Sequence, residues 1–475
     1  MVSIFLVVLV FITAYSSPAF ADETLDELIT RAEKGDPKAQ RTLGFRYYIG
    51  DGVPVDHGKA FKWHEKAALA GNIDAQYETG LFYYKGEGVA HDMAMAVEWF
   101  EMAAGRGCAD AQCMLGSMYY GGWGVNYDPK ESFKWYDLAA KQGNAEAQFK
   151  LAGMYSCSEC IPKDDKKALE YYEKAAAQGH FGAQTSLGMI FYYGNSVPKD
   201  LEKAFKLFGN SALQGDMLSM NFLAEMYLNG EGVSADAKKA FEFYGKAASR
   251  GYVNAMHMSG AMCFFGNGTA QDLSKAAEWF EKAAEKGNPC AQNDLAYMYY
   301  RGEGVLQDFK KAFELYEMAA GNGFALAQCM LGVMYDEGQG VEKDEKLAFK
   351  WFERAAFNGK SAAQNMLGRM YLEGRGVSRN YNKALEWFLK AASLHCYDAF
   401  CNIGDMCYKG AGVPKDHLLA WAYYNLAASG DNKVAKRVVE EIEKTRTRDQ
   451  IEKVMELALK IARSANKDPR AFKYR

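Results

Sequence analysis

The 475-residue sequence predicts an all-α protein, a superhelical α-solenoid of helix-turn-helix repeats. Three observations predict it. A glutamine at Gln40 returns in step: Gln76, Gln112, Gln148, Gln184, Met220, Met256, Gln292, Gln328, Gln364 and Phe400 follow at intervals of 36 residues with no insertion. Each interval holds two apolar patterns of helical period, such as Leu43, Gly44 and Tyr47, then Ala60, Trp63 and Ala67. Glycine and aspartate punctuate both patterns at fixed places. One helix pair cannot bury its apolar face alone, so neighbours stack on a continuous core.

The elements follow in order. "MVSIFLVVLVFITAYSSPAFA" has an apolar core from Val2 to Ala14 and ends in Ala19-Phe20-Ala21, an A-x-A cleavage pattern. A signal peptide over residues 1–21 and a mature start at Asp22 are expected, although no Lys or Arg precedes the apolar core. The stretch is short for a membrane span, no later segment is apolar enough to be one, and no cysteine follows for a lipid anchor. The mature protein is therefore expected in the periplasm or secreted, where cysteines need not stay reduced. Residues 22–34 read as a lone capping helix that opens on a capping box, Thr24 to Glu27.

Residues 35–430 hold the repeats. In each, a "GxGV" stretch joins the two helices as a turn and not as a nucleotide loop, since no strand precedes it. Aspartate follows at Asp56, Asp92, Asp128, Asp164, Asp200, Asp236, Asp272, Asp308, Asp344 and Asp416, with Asn380 the exception. This residue is expected to accept the free amides of the second helix. Glycines from Gly71 to Gly359 are expected to close that helix in a left-handed cap. Residues 431–475 read as one helix to Lys444, a second from the Thr447/Gln450 box through Ile461, and a basic tail ending at Arg475.

Copies such as "AQRTLGFRYYIGDGVPVDHGKAFKWHEKAALAG" and "AQNMLGRMYLEGRGVSRNYNKALEWFLKAA" resemble the Sel-1-like repeat family, relatives of the tetratricopeptide repeat. The resemblance covers Gly35 to Gly430 in eleven in-phase copies. It implies a right-handed α/α superhelix, and a scaffold or adaptor that binds proteins in assembly, signalling or quality control.

Composition narrows the partner. With 56 basic against 60 acidic residues, neither nucleic acid nor an anionic membrane is expected. Aromatic residues are 14% of the chain, too many for a disordered one. No catalytic residue, metal site or cofactor is expected. The seven histidines fall at scattered positions, and the "HEK" at His64 lacks the second histidine of a zinc protease helix. Ser464 opens an S-x-x-K without the companion motifs of a β-lactamase. A secreted or periplasmic hydrolase with an unidentified site, as cysteine-rich relatives have been labelled, is the alternative function. Six tryptophans (Trp63, Trp99, Trp135, Trp279, Trp351, Trp387) share one position of the repeat and are expected in the core.

The cysteines divide three ways. "SCSEC" puts Cys157 and Cys160 in the inter-helix turn of the fourth repeat, with Ser158 and Cys160 where the first repeat has Gly50 and Gly52. A local disulfide that stiffens the turn is the favoured reading; free thiols and a redox or metal site are the alternatives. Cys108 with Cys113, and Cys396 with Cys401, stand five residues apart at identical positions, and each is expected to pair. Cys263 and Cys407 read as core thiols, and Cys290 and Cys329 have no evident mate.

A partner is expected along the first helices. Counting the glutamine as position 0, buried places centre near −1, 0, +3, +4 and +7, which turns −2, +1, +2, +5 and +9 outward. In relatives that face lines the concave side. Here it carries Phe45, Leu81, Met114, Met189, Phe222, Met258, Tyr297, Met330, Val333 and Met366, with Asn221, Asn293 and Asn365 beside them. Outward apolar groups among amides suit an extended peptide or protein segment bound to a monomeric scaffold. The alternative is that neighbouring helices bury these side chains.

Overall fold

A computed structural model describes residues 24–157, 161–430 and 432–467, with side chains to residue 462. The expected signal peptide, Cys160, the side chain of Ser464 and the end of the basic tail lie outside the described residues. Within them every regular element is an α-helix, 25 in all. None is long and apolar enough to cross a membrane.

The chain divides into two compact units, residues 1–226 with 231–234, and residues 227–230 with 235–475. The first begins with the capping helix Leu25–Glu33 and runs through five helix pairs, from Pro37–Ile49 with His57–Leu69 to Phe181–Tyr193 with Leu201–Leu213. The second holds five complete pairs, from Val253–Phe265 with Leu273–Glu285 to Tyr397–Lys409 with His417–Ser429. It closes with Lys433–Glu443 and Arg448–Lys467. Each unit is an α-solenoid of helix-turn-helix repeats.

The punctuation works as the sequence predicts. Thr24 and Glu27 form both bonds of the capping box, and Thr447 and Gln450 form theirs. Asp56 accepts the amide of Lys59 at 2.9 Å, and Asn380 accepts that of Lys383 at 3.0 Å. Glycine in the left-handed region follows both helices of the first repeat, Gly50 at φ 81° and Gly71 at φ 87°. The second glycine of the turn has a further reason. A Cβ on Gly88 would collide with the carbonyl of His57 in the preceding repeat. The turn therefore rests on the backbone of its neighbour.

One expectation about the core is corrected. Trp99 and Trp387 are buried, but Trp63, Trp135, Trp279 and Trp351 are only half-buried. Lys66, Lys282 and Arg354 lie over three of these rings at 4.2–4.8 Å. The core position is the next residue. Phe100, Phe208, Phe352 and Phe388 are fully buried there. Each ring lies against a glycine of the first helix: a Cβ on Gly332 would stand 2.7 Å from the Phe352 ring. The 100° step between adjacent helical residues separates the two roles, and the shared apolar character of Trp and Phe hides it in the sequence.

The glutamine that marks the repeat has a structural role the sequence leaves unexplained. Gln112 Nε2 donates to the Ala104 carbonyl at 3.1 Å, at the end of the preceding helix. Its Oε1 accepts from Gln142 Nε2 at 2.7 Å. Gln148 with Gln178, and Gln184 with Gln214, repeat the arrangement in the first unit, and Gln328 with Asn358 does so in the second. Where the donor is replaced, as by Ala70 or Leu394, the Oε1 of Gln40 or Gln364 is buried with no hydrogen-bond donor.

Val454, Ala458 and Ile461 of the last helix join the apolar cluster that contains Trp421 and Tyr424 of the last repeat. Deleting residues 431–475 should leave a folded protein that self-associates, because an apolar flank is uncovered. Sedimentation velocity at rising concentration checks this; a truncated chain that stays monomeric would contradict it.

Candidate protein-binding face

The face expected along the first helices is largely a seam between them. Phe45 and Leu81 are buried in one apolar cluster with Phe100 and Leu115. Phe222 is buried, its ring stacked on Phe208 at 4.7 Å. Asn221, Asn293 and Asn365 are buried as well. Met114, Met189, Met258, Met330, Val333 and Met366 are half-buried. Met114 packs on the first-unit core, and Met330, Val333 and Met366 on clusters of the second. Tyr297, at 41% exposure, is the one residue of the expected row that is exposed.

The cause lies in packing between repeats, which a helical wheel drawn for one helix cannot show. Position +1 of one repeat touches position +2 of the next. Arg41 reaches Glu78, His257 Nε2 lies 2.8 Å from Asp294 Oδ2, and Asn402 Nδ2 donates to Asn365 Oδ1 at 2.8 Å. Of the three asparagines Asn365 bonds across this seam, whereas Asn221 and Asn293 bond within their own helices. Asn221 Nδ2 bonds Glu225 at 2.9 Å, and Asn293 Nδ2 bonds Asp294 at 3.1 Å. Burial raises the Glu225 carboxyl above its ordinary range, with the Asn221 bond acting against it. The tyrosines at +8 make a second inter-repeat link: Tyr48 donates to Glu87 at 2.8 Å, and Tyr192 to Glu231 at 2.6 Å. Burial and that bond push the Tyr48 hydroxyl well above its usual range.

The most polar part of the seam joins the first two repeats. Arg41 Nε and Nη2 donate to Glu78 at 2.9 and 2.7 Å, and Arg41 also meets Asp74 at 2.8 Å. His64 is fully buried; its Nδ1 donates to the Ala60 carbonyl at 2.8 Å, which aims Nε2 at Glu78, 3.3 Å away. Burial alone would raise the Glu78 carboxyl, but His64 and Arg41 outweigh it and hold it below the ordinary range.

What stays open on this face is mixed in character. In the second unit Tyr297, Met330, Val333 and Met366 stand among Asp294, Arg369 and Asp405, all at least partly exposed. In the first, Met114 and Met189 are joined by Lys150 and Gly153. The charged residues and the glycine were missed because only apolar and amide positions were sought; comparing +2 and +5 across all repeats finds them. Among the described residues no three His, Cys, Asp or Glu side chains gather as a metal site.

The cysteines at 108 and 113, and at 396 and 401, are free thiols, which corrects the expected pairs. Cys108 and Cys396 are N-cap residues, and their partners sit five places on in the same helix. Five helical residues rise about 7.5 Å, more than the roughly 7 Å between Cα atoms that a disulfide spans. Burial pushes the Cys113 thiol far up and the Cys401 thiol up to about 11, so neither is a poised thiolate. Cys263 and Cys407 are buried in the core. Cys157 is exposed at the end of a first helix of 12 residues, one shorter than its neighbours, where an extended backbone replaces the glycine cap. The proposed bond to Cys160 lies outside the described residues.

The stacked pairs, the glycine caps and the 36-residue step belong to a known unit. The Sel1 repeat model matches eleven successive segments, residues 37–72, 73–108, 109–144, 145–180, 182–216, 218–252, 253–288, 291–324, 325–359, 361–396 and 399–432. The chain belongs to the Sel1 repeat family. Members bind other proteins, generally as interaction scaffolds, and are typically not enzymes. The Sel1 chain is similar to the structure of a protective antigen of uropathogenic Escherichia coli strains that displays an SLR fold. That protein is 34% identical, with 96% of this chain and 98% of that chain covered and a TM-score of 0.84. A Sel1 repeat protein from Oxalobacter formigenes is 33% identical, with coverage of 68% and 93% and a TM-score of 0.51. No protein of curated function matches the Sel1 chain.

Proposed function

We propose that this Sel1 protein is an exported, monomeric scaffold that holds an extended segment of another protein along its first helices. The observation that carries the reading is the second unit's open band, with exposed Tyr297 beside half-exposed Met330, Val333 and Met366 and flanked by Asp294 and Arg369. Tyrosine offers a large contact area and a hydroxyl at low entropic cost, and methionine adapts to different side chains. The near-neutral composition argues for a protein in preference to nucleic acid. Export rests on the apolar leader and its A-x-A end.

The test uses a protein captured from the exported fraction on the immobilised full chain, then purified and titrated. The double variant Tyr297→Ala with Arg369→Glu changes two exposed side chains. Its melting should stay near wild type, since surface substitutions cost under about 0.5 kcal/mol each. Its affinity should fall at least tenfold, or about 1.4 kcal/mol. Unchanged affinity would move the site off this face. N-terminal sequencing of the exported protein should begin at Asp22.

A further inference from the structure

One first helix differs from the rest at position +5. Every other repeat carries a side chain there, from Phe45 and Leu81 to Tyr297 and Arg369; the fourth has Gly153. Glycine inside a helix is destabilising relative to alanine, and packing does not demand it here. A Cβ on Gly153 would meet nothing nearer than the Tyr172 hydroxyl at 3.9 Å. What the missing side chain leaves is a cavity of about 260 Å³, open to solvent on the first-helix face. Its walls are the rings of Tyr120, Tyr136 and Phe149, with Met154, Cys157 and Lys150.

The size and walls define the guest. A drug-sized ligand needs roughly 300–1,000 Å³, so this cavity suits a single side chain. Tyr136 presents its ring, because its hydroxyl is bonded to Ser117 Oγ at 2.9 Å. Three rings and a methionine sulfur favour an aromatic guest through edge and face contacts. Lys150 is the only cation at position +2 of any repeat, where others have Thr42, Glu78, Met114 or Asp294. It lies 3.2 Å from Glu146, but Glu146 also holds His180 at 2.9 Å, so one carboxylate is shared between two basic groups. The Lys150 side chain is 42% exposed and keeps donors for a second acceptor.

We propose that this pocket takes one aromatic side chain of the partner segment, with a neighbouring Asp or Glu of that segment on Lys150. The proposal rests on the protein-binding reading above and adds the anchor that sets its specificity. Random-sequence peptides displayed on phage and selected on the full chain test it. Enriched peptides should carry Phe, Tyr or Trp beside an acidic residue. Gly153→Leu should lower their affinity at least about tenfold while melting no lower than wild type, since it fills open space with a better helix former. Gly153→Ala, which leaves most of the cavity, should bind nearly as wild type. Lys150→Ala should remove the preference for the acidic residue and keep that for the ring. In chain kept reduced, bound peptide should also slow alkylation of the exposed Cys157 thiol. Enriched peptides that lack the aromatic–acid pair, that bind Gly153→Leu as well as wild type, or that leave Cys157 alkylation unchanged would overturn the pocket and leave the scaffold reading intact. A chain that enriches no peptide at all would overturn both.

Discussion

Replacing Glu78 by alanine should destabilise the first repeats by about 3 kcal/mol, because it removes the buried carboxylate that the partly buried Arg41 grips with Nε and Nη2. Arg41 would keep Asp74, but His64, fully buried, would keep only the Ala60 carbonyl on its other nitrogen. The same three positions one repeat later hold Tyr77, Phe100 and Met114, packed together in an apolar cluster. Arg41→Tyr, His64→Phe and Glu78→Met made together should therefore restore wild-type stability or exceed it, as replacing whole buried ion clusters often does. Hydrogen exchange over residues 37–85 reads both outcomes locally, since a repeat array loosens repeat by repeat. A Glu78→Ala chain with unchanged protection there would show the network to be idle. The pH dependence has a definite sign. The Glu78 pKa is depressed on folding, so its contribution is complete above the unfolded value of about 4.3. It is lost as pH falls through the lower folded value. Acid should loosen these repeats in the wild type and leave the triple variant unaffected by this step.

Phe352→Ala should cost about 3–5 kcal/mol, the range for emptying a buried aromatic site. The ring is fully buried and lies on Gly332, which has no side chain to fill the space. Trp351, one residue away, is half-buried under Arg354. Trp351→Ala should cost clearly less, although it removes the larger side chain. Chemical denaturation of the two variants side by side decides between them. A larger loss at Trp351 would return the tryptophans to the core and reverse the correction made above.

Much of the fold was legible because it rests on local rules. The caps at Asp56, Asn380, Thr24 and Gly71 depend on short-range backbone needs that any one repeat displays. The face was less legible because it is made by neighbours. A wheel drawn for the helix around Asn365 cannot know that Asn402 of the next repeat covers it. The two five-residue cysteine pairs are unformed for a related reason: Cys108 and Cys113 share a repeat position with Cys396 and Cys401, but equal phase does not bring two residues of one helix within bonding distance. The pocket at Gly153 was visible in the sequence as a missing side chain at +5, yet its rings come from three different helices.

The glutamine bonds have a mechanical consequence. In the first unit they form three successive links, each a marker glutamine that donates to the helix behind it and accepts from the next: Gln112 with Gln142, Gln148 with Gln178, and Gln184 with Gln214. Before those links, Gln40 and Gln76 each grip only the helix behind them, with no donor on Oε1. Stretched between its ends, such a chain is a cable with welded and unwelded links. Near the N-terminus tension should fall instead on the Arg41–Glu78 bonds and on Arg106, which bonds the Gly71 carbonyl at 2.6 Å, while the stretch that contains Gly153 carries it through the glutamine links. A partner that pulls on the anchor pocket would then load the glutamine-linked part of the first unit.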